Sequence, residues 1–164
     1  MIYLPLDPEA CSFLSSAFPE FKNTPGSNFP VVGLAYAPTG SEAAFWRFRA
    51  VEYGGGNLTL DLSWYADTGS TGEVRWGASI AAITPNTDTQ DIETKSFATE
   101  DTVDDTHLGT TNQRLHKATI TISNLDSLAQ DDEFYIRVRR MVPAGSNMSG
   151  DAILIGSVLS YAAA

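Results

Sequence analysis

From Phe29 onward apolar and polar residues alternate with a period of two, the spacing that places successive side chains on opposite faces of a strand. The clearest run sets Leu58, Leu60, Leu62 and Trp64 against Thr59, Asp61, Ser63 and Tyr65. After the turn cluster Asp67-Thr68-Gly69-Ser70-Thr71-Gly72 the alternation resumes at Val74, Trp76, Ala78, Ile80 and Ala82. The two runs are therefore predicted to pair as a hairpin, with both tryptophans toward the core. The same reading predicts strands at 31–37, 44–53, 96–99, 115–122, 134–141 and 153–161, and a short one at 2–4. Turn-forming residues separate them: Gly54-Gly55-Gly56-Asn57, Thr84-Pro85-Asn86-Thr87-Asp88, Asn124-Leu125-Asp126 and Pro143-Ala144-Gly145-Ser146-Asn147.

The N-terminal segment departs from this period. Asp7-Pro8-Glu9 has the form of a helix start, and Ala10, Phe13, Leu14, Ala17 and Phe18 follow at helical spacing as far as Pro19. Lys22 to Asn28 is a loop by composition. The expectation is an all-β chain: a jelly-roll-like antiparallel β-sandwich of about eight to nine strands over residues 29–164, preceded by an arm with a short helix over residues 1–28. An immunoglobulin-like sandwich finds no Cys…Trp…Cys spacing to support it.

Several strands are apolar on both faces, notably Val31-Val32-Gly33-Leu34-Ala35, the run from Ala78 to Ile83 and the run from Ile153 to Leu159. An antiparallel sandwich normally wets its outer faces, so the surplus must be covered by the arm, by loops or by another subunit. The arm is the expected docking element, because Ile2, Tyr3, Leu4, Leu6, Phe13, Leu14, Phe18 and Phe21 are more apolar than an unattached terminus should be.

Composition narrows the function. Ten Lys+Arg against 20 Asp+Glu in 164 residues give a formal net charge of −10, the wrong sign for neutralising many phosphates. Nucleic acid is thus not an expected partner, and no run approaches the ~18 apolar residues of a membrane-spanning helix. The start Met1-Ile2-Tyr3-Leu4-Pro5 lacks the basic and long apolar regions of a secretory signal, so classical secretion is not expected. A single Cys11 allows no intrachain disulfide and no CxxC metal or redox site.

Candidate chemistry is sparse. Gly77-Ala78-Ser79-Ile80-Ala81 lacks the last glycine of a nucleophile elbow and lies within a strand. His107 and His116 flank the loop from Leu108 to Arg114 and read as surface histidines of a β hairpin. Glu100-Asp101, Asp104-Asp105 and Asp131-Asp132-Glu133 could supply a glycosidase acid pair or calcium ligands, but neighbours along a strand face opposite ways and the D-x-D-x-D-G spacing is absent. They read as solvated loops, and neither a catalytic set nor a cofactor is expected. Gly54-Gly55-Gly56 precedes a strand, not the helix that a phosphate-binding loop requires. Asn57 and Asn147 begin glycosylation sequons expected to be unused. Arg137, Arg139 and Arg140 form a basic stripe in an acidic chain, either paired with acids across strands or offered to an acidic partner.

The order of motifs resembles small β-sandwich virion structural proteins of tailed bacteriophages. The resemblance is carried by the run from Tyr53 to Leu60, Trp64-Tyr65, the run from Thr71 to Trp76, Ser96 to Thr99, Val103 to Thr106, Ala118 to Ile122, Arg137 to Arg140 and Asn147 to Ala152, and it covers Phe29 to Tyr161. It implies a non-enzymatic decoration or cement protein of the capsid, assembled in the bacterial host cytoplasm. It also implies self-association, as a homotrimer, and docking on the major capsid or a tail protein. The alternative is a tail-fibre or spike head, or a carbohydrate-binding module recognising host-surface glycans through Tyr65, Trp46 or Tyr53. Phe45, Trp46 and Phe48 cannot all face one side of a strand, so at least one points away from the core. An exposed aromatic platform favours glycan binding, and an aromatic covered by the arm or a neighbouring chain favours assembly.

Overall fold

The alternation of the sequence translates directly into buried and exposed faces. In β5 (Leu58–Ala66) the side chains of Leu58, Leu60, Leu62 and Trp64 are wholly buried, and in β6 (Gly72–Ile83) those of Val74, Trp76, Ala78 and Ile80 are. A computed structural model describes residues 1–67, 69, 71–109 and 113–164. Thr68 and Ser70 of the first turn cluster and residues 110–112 of the loop between the histidines lie outside the described residues.

The remaining strands are β1 (Ile2–Leu6), β2 (Glu20–Pro25), β3 (Pro30–Tyr36), β4 (Ala43–Arg49), β7 (Asp101–His107), β8 (His116–Ile122), β9 (Glu133–Met141) and β10 (Ala152–Tyr161). They form two antiparallel sheets, one of six strands in the order β2-β3-β10-β5-β8 with β1 also on β10, the other of four in the order β4-β9-β6-β7. Only the β1–β2, β2–β3 and β6–β7 connections stay within a sheet; every other one crosses, as in a jelly roll. The fold is the expected all-β sandwich. The hairpin of β5 with β6 is not formed, because the turn between them carries the chain from one sheet to the other and their tryptophans meet edge to face across the core, centroids 6.1 Å apart.

The helix predicted to start at Asp7-Pro8-Glu9 and run as far as Pro19 is reduced to one 3-10 turn at Pro8–Ala10, and Cys11 is already extended. Competing partners explain the difference. The Trp46 indole donates to the Asp7 carbonyl (2.9 Å), and Ser12 exchanges two backbone hydrogen bonds with Phe45 (2.8 and 3.1 Å). The segment is thereby laid along the free edge of β4, which protects it from pairing with other chains. Residues 20–25 form an edge strand instead of the expected loop; its side chains are largely exposed, so no alternation marks it. β7 begins at Asp101, later than the strand predicted at 96–99, and its inward positions are Val103, Asp105 and His107.

The main core is joined by a smaller apolar cluster on the outer face of the six-stranded sheet, where Ala35, Tyr65 and Ile153 are buried with Val31 and Ile155 against them. Part of the apolar surplus is thus enclosed within one chain. Of the residues expected to dock, Leu6 is fully buried and Ile2 and Leu4 pack against the core, whereas Tyr3, Phe13, Leu14, Phe18 and Phe21 are exposed.

Candidate functional site

The outer face of the four-stranded sheet carries large side chains on two strands and small ones on the third. The register places Phe45 beside Arg137 and Arg47 beside Tyr135 between β4 and β9, then Arg139 beside Gly77, Arg137 beside Ser79 and Tyr135 beside Ala81 between β9 and β6. Small residues on β6 leave a depression floored by Phe45 and Tyr135. The segment 84–100, connecting β6 to β7, brings Phe97 to Phe45 (centroids 5.8 Å apart) from one side, and residues 12–14 bring Phe13 from the other. The result is a groove of about 370 Å³ with four aromatic rings, Arg137 and Lys95 in its lining.

The charges beneath it are held in a fixed order. Arg139 grips Glu100 through Nε (2.8 and 2.9 Å) and Nη2 (2.6 Å), a bidentate pair that keeps its guanidinium firmly protonated. Glu100 lies flat on the sheet because position 77 is glycine; a Cβ there would sit 2.7 Å from its carboxyl carbon. Arg137 approaches the same carboxylate only to 3.7 Å, and its Cζ lies over the Phe97 ring at 5.0 Å. Burial pushes its pKa down, Glu100 opposes that, and Arg139 adds to it. Lys95 is engaged by Asp126 (2.8 Å) and Gln90 (2.6 Å), which ties the 84–100 segment to the β8–β9 loop.

The acidic pairs of the sequence are each engaged in the fold. Asp101 accepts from the Ser123 amide (2.8 Å), Asp104 takes Arg75 bidentately (2.7 Å), Asp105 accepts from the Trp64 indole (2.8 Å) and Asp131 pairs with Arg49 (3.1 Å). Buried Asp132 accepts from the Ala129 amide (2.8 Å). Among the described residues no group of three or more His, Cys, Asp or Glu is placed to hold a metal ion. Burial raises the Cys11 thiol to about 11, and it donates to the Pro8 carbonyl (3.0 Å). The two histidines are buried, not on the surface, and do not belong to one hairpin: β7 and β8 lie in different sheets, and His107 and His116 meet between them. Arg140, read with Arg137 and Arg139 as one stripe, points inward and is wholly buried, as strand alternation requires.

Trp46, Tyr53 and Tyr65 do not form a sugar platform. Trp46 is 3% exposed beneath the N-terminal segment, and Tyr53 and Tyr65 are each 7% exposed. Phe45 is the outward member of its strand triplet, which bears out the expectation that one of the three leaves the core. The groove residues Phe13, Phe97 and Tyr135 were legible only singly, since they come from three distant segments that the fold brings together.

No protein-family model matches the chain, and no curated protein matches it by sequence. Solved structures do match its fold. A family 35 carbohydrate-binding module from an environmental isolate aligns with a TM-score of 0.56 at 12% identity over 98% of each chain. The xylan-binding module CBM15 aligns at 0.53 and 10% identity, over 99% of this chain and 97% of that one. A family 36 carbohydrate-binding domain of a multidomain xylanase from the hindgut metagenome of Trinervitermes trinervoides aligns at 0.52 and 10% identity, over 99% of this chain and all of that one. These matches overturn the resemblance to phage virion proteins, and with it the reading as a self-assembling capsid decoration protein. The motifs behind that resemblance are strands β5 to β10 and their turns, whose alternation any such sandwich needs for its core.

Proposed function

We propose that this chain is a glycan-binding module and that the groove over the four-stranded sheet holds the saccharide. The observation that carries the reading is the convergence of Phe13, Phe45, Phe97 and Tyr135 around Arg137. Aromatic faces take the apolar side of a pyranose ring, and the guanidinium donates to its hydroxyl or other oxygens. The fold it shares with modules named for carbohydrate binding supports the same reading, as does the engagement of its carboxylates in structural contacts. The role is retention on a polysaccharide, not its cleavage.

Affinity electrophoresis in gels containing soluble xylan, mixed-linkage glucan or pectin tests this. The protein should be retarded by at least one polymer. Tyr135→Ala and Phe13→Ala should each weaken that retardation roughly thirtyfold, the effect of truncating a central aromatic of a binding site. Phe21→Ala, on the exposed edge strand of the other sheet, should leave it unchanged. Retardation by no polymer, or equal retardation of all variants, would show that the groove is not a saccharide site.

A further inference from the structure

We infer that the glycan bound in this groove is an acidic one, recognised through the carboxylates of uronic-acid residues; the inference rests on the groove being the saccharide site. Two outward arginines elsewhere on this sheet each have a carboxylate of their own: Arg75 with Asp104 at 2.7 Å and Arg49 with Asp131 at 3.1 Å. At the groove the matching fails. Arg137 and Arg139 share the single carboxylate of Glu100, and Arg139 takes both of its oxygens at hydrogen-bond distance. Arg137 is left at 3.7 Å, its Nε enclosed with no hydrogen-bond partner among the described residues. Its side chain is one quarter exposed, so the guanidinium meets the groove.

A cation withdrawn from water without a full counter-charge is a costly arrangement, and an incoming carboxylate relieves it. Arg47 adds to the field: it stands beside Tyr135 in the next register pair, is exposed, and makes no ion pair among the described residues. The other charges in the lining do not cancel this. Lys95 is neutralised by Asp126, and Glu93 is exposed to water at the rim. In a chain with a formal net charge of −10, two neighbouring arginines without a full counter-charge, Arg47 and Arg137, make this strip a local departure.

Isothermal titration of the whole chain tests the inference. The ligands are oligogalacturonate, oligoalginate and a glucuronic-acid-bearing xylo-oligosaccharide, each beside its carboxyl-reduced, neutral counterpart. At least one acidic oligosaccharide should bind about tenfold or more tightly than its reduced form, as charge-assisted contacts require. That difference should shrink in high salt and disappear in Arg137→Gln, with the fold checked by circular dichroism. Equal binding of acidic and reduced forms by the unaltered protein would overturn the acidic specificity and leave glycan binding standing. Binding to neither form of any pair, with neutral glucans also inert, would overturn both readings. Because the comparison of ligands uses the unaltered protein, it decides the matter even where Arg137→Gln fails to fold.

Discussion

Arg140→Ala should destabilise the fold by about 3–5 kcal/mol, the loss expected when several enclosed oxygens lose their only donor at once. Arg140 is wholly buried, and its guanidinium donates to four oxygens: the carbonyls of Tyr36 (3.1 Å), Gly150 (2.6 Å) and Met148, and Oδ1 of Asn147 (3.1 Å). These contacts fasten the β9–β10 loop to the end of β3, and Asn147 extends the clasp by donating to the Pro38 carbonyl (2.9 Å). Desolvation lowers the Arg140 pKa to about 10, still high enough to keep the charge at neutral pH. Alanine leaves those oxygens enclosed without donors, and lysine, with a point charge instead of a planar fork, satisfies only some of them. For a chain of this size the expected fall in melting temperature is roughly 6–20 °C for alanine, with lysine in between. A shift under 2 °C for alanine would show that the loop is held by something else.

Trp64→Ala should have an effect of similar size, about 3–5 kcal/mol, because the indole does two jobs at the open end of the sandwich. It packs edge to face on Trp76, and its Nε1 donates across the sheets to Asp105 on β7. His116 stacks on the same ring, centroids 4.6 Å apart, with Asp105, His107 and Arg114 around it. Burial depresses the His116 pKa, Asp105 opposes that, and His107 and Arg114 reinforce it. The unfolded chain therefore binds a proton at this position more readily than the folded one. Stability should be full above about pH 6.5, the unperturbed value, and fall as acidification carries the solution below it. Melting curves of the unaltered protein and His116→Gln between pH 7.5 and 5 would show this: the glutamine variant should lose less stability over the interval. Identical slopes would contradict the role given to His116.

The sandwich was legible because its core strands carry strict alternation, as Leu58 to Trp64 does, and burial of one face is what that pattern encodes. The charged strand from Asp101 to His107 was not, since its inward positions include Asp105 and His107, polar groups whose partners lie on another strand. The predicted helix failed for a related reason: Asp7-Pro8-Glu9 is a local signal, and the backbone groups of β4 offered Ser12 a better partner than its own next turn. The groove was least legible of all. Phe13, Phe45, Phe97 and Tyr135 are unremarkable one by one, and only the register of β4 and β9 with the path of the 84–100 segment gathers them. The basic stripe was the one clue in the sequence, and two of its three arginines do face that side.

Saccharide bound over the four-stranded sheet should be visible, residue by residue, in an amide chemical-shift map of the labelled protein titrated with oligosaccharides. The shifts should concentrate at residues 12–14, 45–47, 92–97 and 135–137. Shifts gathered instead around Phe29, Tyr65 and Leu115, in the apolar depression on the opposite sheet, or none with any acidic or neutral oligosaccharide, would contradict it.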